Sequence, residues 1–504
     1  MKTLVERHSK EIVGTISCFD RVVITGTLPD MAYRSAAERF LARAEIPLGD
    51  FANCFKKLRD DVARNANKLA EDAGLSVQYI DRKNFRKEER IKEILAGRGD
   101  APGLVHVFSA MEPCQTYRVQ GSKFTNGKYL ASRYGKCLHY YFYFIDPDLG
   151  LCYCRVETWT PFRLQFYFNG HNWLASQLKQ QRVGFTLQEN AFTSIDDFTL
   201  AQRLADRFSP KWLHRTLDKY AKQFCPILDM FPSSYRWSIM QVEYATDIIF
   251  TSSGALKPIY DHIVRTAIHS AEIDNIATFF GRKFDGRSKA EIVTDFNYRV
   301  KGTRIKHSTR DVAIKMYDKH GRVLRIETTA SKVSSLRHHR MVEQRDGTKI
   351  MKIAPVRRTI YSLNDVAGLL SAANHRYLDF VSSLDDPSDG SRYLEKIVEP
   401  VRVDERCYRG FNLFEKHDLE LLLVIVRGEF NISGMRNRDL RIHLKKNGSQ
   451  ASRLLKRLHL HGLIKKISGT YKYYLTKLGR VLISFALQLR QEITIPTLSR
   501  AYSE

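Results

Sequence analysis

The sequence predicts an α/β (α+β) multidomain fold, and three observations carry that expectation. At 504 residues the chain exceeds one ordinary core and suggests about two to four domains. Residues 1–113 alternate strand-like and helical periodicity, which favours an α/β layer. Residues 411–490 place helical segments ahead of two short strands and a final helix. The resulting division is an N-terminal mixed α/β region of catalytic type (1–135), then antiparallel aromatic strands with a helical middle region (136–300). A basic β-hairpin and helix (301–383), a linker (384–410) and a C-terminal domain (411–504) follow.

Each element has a local reason. Val22–Thr25 is a β-branched run closed by Gly26 and Pro29. Residues 33–46 and 54–73 have apolar positions at helical spacing, Val77–Ile80 reads as a strand, and 84–96 reads as a basic helix. Leu104–Phe108 is a further strand, ending at Ser109–Pro113. From Cys137 to Ile145 the chain is strongly aromatic, and Asp146–Gly150 has turn residues. Leu151–Thr158 and Phe162–Phe168 continue an antiparallel meander, Asn172–Gln180 reads as a helix, and 197–280 as mainly helical. Val312–Tyr317 and Val323–Thr328 flank the turn Asp318–Gly321 as a hairpin, and 362–383 is helical. Residues 384–410, rich in Asp, Pro, Ser, Gly and Arg, form the linker.

Composition narrows the function classes. There are 81 Lys and Arg against 55 Asp and Glu, a net charge of +26. A compact chain tolerates such self-repulsion most readily with a polyanionic partner, whose condensed counterions Lys and Arg release. No apolar run approaches the roughly 18 residues of a membrane-spanning helix, and the polar Met1–Glu11 is no signal peptide. The eight cysteines form no CxxC pair, and Cys152 and Cys154 share one face of a strand as reduced core thiols. The expected location is cytoplasmic, associated with the nucleoid, and a homodimer is among the states left open.

The charge concentrates near the end of the chain. Asp418–Val426 and Arg436–Leu444 read as helices, with Phe430–Gly434 as the turn between them. Ser449 is the expected N-cap of a third helix, Gln450–His459. Leu463–Ile467 and Tyr471–Leu475 are strands joined by Ser468–Thr470, ahead of a helix from Lys477 to Arg490. This is the order of a helix-turn-helix with a wing. Between Arg436 and Arg480 stand thirteen Lys or Arg and one acid, Asp439. The expected DNA-binding residues are Arg436, Arg438, Arg441, Ser449, Gln450, Arg453, Lys456, Arg457, Lys465, Lys466 and Lys472. Arg453, Lys456 and Arg457 are placed on one helix face with Ser449 and Gln450, opposite Leu454, Leu455 and Leu458. There, cations hold phosphates and polar residues at the helix start reach base edges. Ser449–Leu475 resembles the winged helices of the multiple-antibiotic-resistance (MarR) regulator class, which implies a DNA-binding module.

Other segments carry whole-chain resemblance. Ser17–Leu28, Val105–Cys114 and Phe166–Ala175 resemble a multicopy bacterial protein family from which no activity carries over. Many copies per genome imply mobile DNA, and hence a transposase-like or element-maintenance protein. Arg304–Lys306, Ile314–Lys319 and Leu324–Glu327 resemble a hairpin of phage and plasmid replication initiators of the nicking type. The paired histidines of such nickases are not matched, since Leu138-His139-Tyr140 supplies only one.

Strand chemistry on DNA uses carboxylates that hold Mg²⁺ together with substrate phosphates. Asp20 in the first strand, Glu112 after a later one, Asp146 at the end of the aromatic strand and Glu327 in the basic hairpin are the catalytic candidates. Asp20, Glu112 and Glu327 are the metal candidates, with Mg²⁺ the expected ion. The arrangement would suit a nuclease or transposase of the ribonuclease-H type. Each acid has a structural alternative: Asp20 pairing with Arg21 or a buried lysine, Asp146 shaping its turn, Glu327 bridging to Arg325 or Lys315. Glu243 and Asp247, four apart on an expected helix, could also contribute to the acidic group or form a surface pair. His171 follows Asn169-Gly170 as a functional loop residue, or in a turn capped by Asn169 or Asn172. Tyr140, Tyr141 and Tyr143 fill core, stack bases or supply a nucleophile. The clusters Arg82–Arg90 and Arg337–Arg340 extend a phosphate track or form a solvated face.

The leading expectation is a mobile-element protein that binds DNA through its C-terminal domain and cuts or joins strands with Mg²⁺. The alternatives are a non-enzymatic transcriptional regulator, or an RNA-binding component of a ribonucleoprotein.

Overall fold

The computed structural model describes residues 3–488 apart from 83, 122–126, 271–275, 277, 282–292, 300–301, 385–393, 413, 428–429 and 431–433; beyond 488 it describes only 490, 494, 495 and 498. The fold is mixed α and β, and the chain divides into two compact units. The larger spans 2–260 and 273–379, and the smaller is built mainly from 380–504.

Strands of the larger unit are β1 (Ile12–Thr27), β2 (Val77–Tyr79), β3 (Gly103–Gly121), β4 (Lys128–Asp146), β5 (Gly150–Glu157) and β6 (Leu164–Asn169). After a separate hairpin of β7 (Phe185–Gln188) and β8 (Ala191–Ile195) come β9 (Arg236–Phe250), β10 (Val293–Arg299), β11 (Gly302–Ser308), β12 (Val312–Lys319) and β13 (Val323–Ala330). Eleven of them form one sheet in the order β10-β11-β12-β13-β9-β1-β6-β5-β4-β3-β2. The β2–β3 pair is parallel and the other neighbours are antiparallel. Position 135/136 falls inside β4, and the strands on either side of 300 pair with each other, so the segments 1–135, 136–300 and 301–383 contribute to a single sheet.

The alternation of the strands separates two chemistries, because successive side chains point to opposite faces. Even-numbered Tyr140, Phe142, Phe144, Cys152, Cys154, Leu164, Phe166 and Phe168 are buried in the main core. The helices Phe51–Asp72 and Pro210–Phe224 pack there through Phe55, Val62, Leu217 and Phe224. Cys152 and Cys154 are buried and unbonded. Odd-numbered His139, Tyr141, Tyr153, Arg155, Glu157, Gln165, Tyr167 and Asn169 alternate with them. The polar face of β1, β9 and β13 continues this odd-numbered row across the sheet.

Two sequence expectations are corrected here. Residues 197–280 are not mainly helical throughout: Phe198–Asp206 and Pro210–Phe224 are helices, but Arg236–Phe250 is β9. Its backbone is paired on both sides, with β1 and β13, and that pairing decides its conformation. The strand read as Leu104–Phe108 runs on through Ser109–Pro113 to Gly121, held by the long β4 partner.

In the smaller unit the helices Lys416–Ile425, Asn437–Leu444 and Gly448–Leu460 precede β18 (Ile464–Lys466) and β19 (Tyr473–Leu475), then the helix Lys477–Gln488. Their core is Leu421, Leu422, Ile425, Leu440, Leu455, Leu458, Leu463, Ile464 and Ile483. Within the expected turn Phe430–Gly434, residues 431–433 lie outside the described residues. So do 385–393 of the expected linker, whose later part carries a small hairpin, β16 (Val401–Val403) with β17 (Arg406–Tyr408). A further small hairpin, β14 (Arg337–Glu343) with β15 (Lys349–Pro355), belongs to the larger unit.

Candidate functional site

Asp20 is placed by an irregularity. Along β1–β9, Phe19 pairs with Tyr244 and Val22 with Val242, so Asp20 and Arg21 together oppose Glu243. Such a bulge leaves an extra residue on one strand and re-aims side chains, often beside active sites. Glu243 lies on β9 and Glu327 on β13, its neighbour. Asp20, Glu243 and Glu327 each offer a carboxylate oxygen, and the three oxygens lie within 4.8 Å of one another.

Glu327 is 2% exposed and sits opposite Lys315 in the β12–β13 register. It accepts hydrogen bonds from Lys315 Nζ at 2.7 Å and Tyr317 Oη at 2.7 Å. Glu243 Oε1 is 3.6 Å from the same Nζ and accepts from Thr329 Oγ1 at 3.2 Å. One ammonium therefore faces two carboxylates. Burial and the neighbouring Glu327 charge push the Glu243 carboxyl up to about 7, against the attraction of Lys315. The group of acids carries more negative charge than its own lysine neutralises.

A second cation is spent elsewhere. Arg325 is fully buried and lies opposite Asp247 in the β9–β13 register. It holds Asp247 bidentately, Nε–Oδ1 and Nη2–Oδ2 both at 2.6 Å, and donates to the Asn190 carbonyl at 2.6 Å. Its Nη1 reaches only 3.5 Å from Asp20 Oδ2. Arg325 Nη2 also lies 3.0 Å from His171 Nε2. The His171 ring lies between two carboxylates, Nδ1 3.2 Å from Asp20 Oδ1 and Nε2 3.5 Å from Asp247 Oδ2; burial opposes its protonation, but hydrogen bonding to both aspartates helps raise it well above the ordinary histidine range. Asp20 Oδ1 further accepts from Asn169 Nδ2 at 2.8 Å and Asn190 Nδ2 at 2.6 Å. Burial opposes ionisation of Asp20, but Arg325, His171 and Asn190 outweigh it and hold the carboxyl well below the usual range. Lys319 Nζ donates to Asn190 Oδ1, and burial with the nearby Arg325 lowers its ammonium to about 8.

His171 reaches this network because its helix begins where β6 ends. Asn169 caps the helix Gly170–Gln180, its side chain accepting from His171 N at 2.8 Å. A Cβ on Gly170 would stand 2.2 Å from the Phe19 carbonyl oxygen, so only glycine lets the helix start press against the bulge.

Of the four acids singled out from sequence, Asp20 and Glu327 meet, while Glu112 and Asp146 stand apart. Glu112 is on β3, four strand spacings from β1, or roughly 19 Å at 4.8 Å per spacing. It accepts from Tyr141 Oη at 2.6 Å and pairs with Lys87 at 3.3 Å. Asp146 shapes the β4–β5 turn, accepting from Asp148 N and Leu149 N, both at 2.8 Å, and from Tyr220 Oη at 2.5 Å. In place of Glu112 the third acid of the cluster is Glu243. Its helical reading failed because a spacing of four keeps two residues on one face of a strand as well as of a helix. The signal that separates the two is the alternation Glu243-Tyr244-Ala245-Thr246-Asp247 running into Ile248-Ile249-Phe250. Of the tyrosine stripe, Tyr140, Tyr141 and Tyr143 are all buried, which fits core packing rather than base stacking.

In the smaller unit Arg438, Arg441, Ser449, Arg453, Lys456, Lys465 and Lys466 are exposed, with Arg436 and Lys472 half-buried. Arg457 is not on that face. It is buried, bonded to Asp418 at 2.7 and 2.8 Å and to the Arg409 and Gly410 carbonyls, with its guanidinium 3.8 Å from the Phe411 ring centroid. The third helix is capped by Asn447, not Ser449. The Asn447 side chain accepts from Gln450 N at 2.9 Å, and Gln450 Oε1 accepts from Asn447 N at 3.1 Å. That leaves Ser449 uncommitted to the cap, while the Gln450 amide oxygen is partly engaged by Asn447 N and its amide donors stand outside the cap. Compared with known proteins, the chain matches no family model and no curated protein.

Proposed function

We propose that the protein is a DNA-binding enzyme that cuts or joins DNA strands with a divalent cation, Mg²⁺ being the expected one. The observation that carries this reading is the convergence of Asp20, Glu243 and Glu327 from three adjacent strands. Carboxylates sharing an ion with substrate phosphates match how Mg²⁺ is held, through one or two of them, in enzymes that act on phosphates. The donor set fits: hard oxygen ligands in one small group, with Glu243 kept partly protonated near neutrality by burial and by the neighbouring Glu327 charge. Bound there, the ion would neutralise charge on a phosphate and lower the pKa of a water. The chain's own residues do the rest. Asn169, Asn190 and His171 orient Asp20. Tyr317 and Lys315 orient Glu327. Lys319, Arg21 and Lys315 supply positive potential for an incoming phosphodiester.

The smaller unit supports the DNA-binding half of the reading. The order of three helices, hairpin and helix over 416–488 supports a winged helix-turn-helix reading, with β18, β19 and the residues between them as the wing. The exposed cations of the second and third helices and the wing form its phosphate-binding surface. Such a module joined to a carboxylate-bearing sheet suits a transposase or element-maintenance nuclease.

One observation favours a regulator without enzymatic activity. Lys315 bridges Glu243 and Glu327, so the carboxylates have a counter-ion of their own. The two readings separate in one assay: full-length protein is incubated with labelled single- and double-stranded DNA, with Mg²⁺ or Mn²⁺ and with EDTA. The enzyme reading expects metal-dependent strand cleavage that Glu327→Gln and Glu243→Gln abolish while DNA retention persists. Intact DNA under every condition would leave the regulator.

A further inference from the structure

We infer that the β14–β15 ribbon is a second DNA-binding element, an arm that lies in the major groove of duplex DNA. This rests on the DNA-binding reading above and adds a surface to it. Among the described residues the ribbon is anchored at its base, where Leu336, Ala354 and Val356 are buried and Val356 N donates to the Leu336 carbonyl at 2.9 Å. Beyond Ala354 no residue of the ribbon is buried. About six residues per strand extend from that base, a reach of roughly 20 Å. The tip is a closed turn: Gln344 N donates to the Thr348 carbonyl, Gly347 N to the Gln344 carbonyl, and Asp346 Oδ1 accepts from Thr348 N and Oγ1.

Both faces of the ribbon are costly in water alone. On one, Arg340 lies directly opposite Lys352, and like charges facing across strands destabilise a pair. On the other, Met341 faces Met351 and His339 faces Ile353. Met341 is 52% exposed, Met351 64% and Ile353 58%. A two-stranded ribbon is marginal by itself, and exposed apolar strand surface invites association. Between Arg337 and Arg358 there are seven Lys or Arg and two acids.

A polyanion whose groove carries polar base edges and thymine methyl groups meets both faces. The major groove of B-DNA, about 12 Å wide, admits a two-stranded ribbon and displays thymine methyl groups. Strands about 4.8 Å apart fit within it, with Arg340 and Lys352 of one face and Lys349, opposite Glu343 on the other, reaching to the phosphate walls. The major groove of an RNA duplex is too deep and narrow for the same entry. A second copy of the ribbon, adding edge to edge, would bring like charges together.

The test uses the full chain and duplex DNA over a range of salt concentrations. In the triple variant Arg340→Gln, Lys349→Gln, Lys352→Gln, all three changes fall on exposed or half-buried side chains outside the core. The slope of log K against log[salt] is expected to shrink by about 0.9 for each phosphate no longer neutralised, so by roughly 2 to 3 in all. A photo-crosslinking residue at position 351 is expected to capture duplex DNA. If the parent chain binds duplex in a salt-sensitive way and the triple variant keeps the parent slope, the arm is refuted while the DNA-binding reading stands. Capture of RNA or of a second chain in place of duplex refutes the arm likewise. Absence of any salt-sensitive binding by the parent refutes both.

Discussion

Replacing Arg325 by methionine removes the guanidinium on which the sheet's buried charges rest. Arg325 and Asp247 are both wholly inaccessible, and the pair is bidentate at 2.6 Å. The substitution leaves Asp247 ionised without a partner, withdraws a donor from the Asn190 carbonyl, and removes the cation nearest Asp20 Oδ2. Breaking a buried pair by deleting one partner costs about 3–5 kcal/mol, because the remaining charge stays desolvated. At about 2 cal/mol/K per residue, a unit of some 370 residues loses roughly 4–6 °C of melting temperature. Differential scanning fluorimetry on the full chain reads this shift. Asp247→Asn added to Arg325→Met is expected to recover part of the loss, since the pair then vanishes from both sides. An Arg325→Met variant melting within about 1 °C of the parent, or a double variant that only adds losses, would refute the claim that this pair organises the site.

Further expectations follow from the same geometry. Glu243 has a carboxyl raised to about 7 in the folded state from an ordinary 4.5, so its ionisation lags that of the unfolded chain. Stability from this group is full below about pH 4.5 and is lost as pH rises toward 7, so Glu243→Gln flattens thermal stability between those limits. Divalent-ion affinity runs the other way, rising with pH and levelling above about 7, measurable by calorimetry at a series of pH values. Lys315→Met removes the internal counter-ion of Glu243 and Glu327; the metal-free protein is expected to melt lower and to bind Mn²⁺ several-fold more tightly than the parent. Arg457→Met destabilises the smaller unit by about 3 kcal/mol through the orphaned Asp418, whereas the exposed Lys456→Ala changes stability little and lowers the salt slope of DNA binding by about 1. Glu112→Gln leaves metal binding unchanged, which a Mn²⁺ titration checks.

Local signals carried much of the architecture. The β12–β13 hairpin follows from alternating Val312–Lys319 and Val323–Ala330 around His320 and Gly321, both at positive φ. The helices Arg34–Arg43 and Phe51–Asp72 follow from apolar spacing, as does the helix and strand order of residues 416–488. What stayed hidden depends on partners. The alternation from Glu243 to Asp247 marks 236–250 as a strand, but nothing within it states that β1 and β13 will flank it. Asp20 and Glu327 were legible as charged residues in strands, but their common neighbour Glu243 follows only from strand order. Arg457 was misplaced for a related reason. A cation in a helix one position from the exposed Lys456 reads as surface until Asp418, distant in sequence, is seen to wait for it. The cap at Asn447 was displaced by two residues from the expected Ser449, an ordinary uncertainty at a helix end.

The most direct test of the account is a Mn²⁺ titration of the metal-free full-length protein at about pH 7.5, above the raised Glu243 carboxyl, followed by electron paramagnetic resonance and compared with Glu243→Gln and Glu327→Gln. A Mn²⁺ site is expected in the parent, weakened about tenfold or more by either substitution while the fold is kept. A parent that binds no Mn²⁺, or variants that bind it as well as the parent, would contradict the claim that Asp20, Glu243 and Glu327 form one metal-holding group.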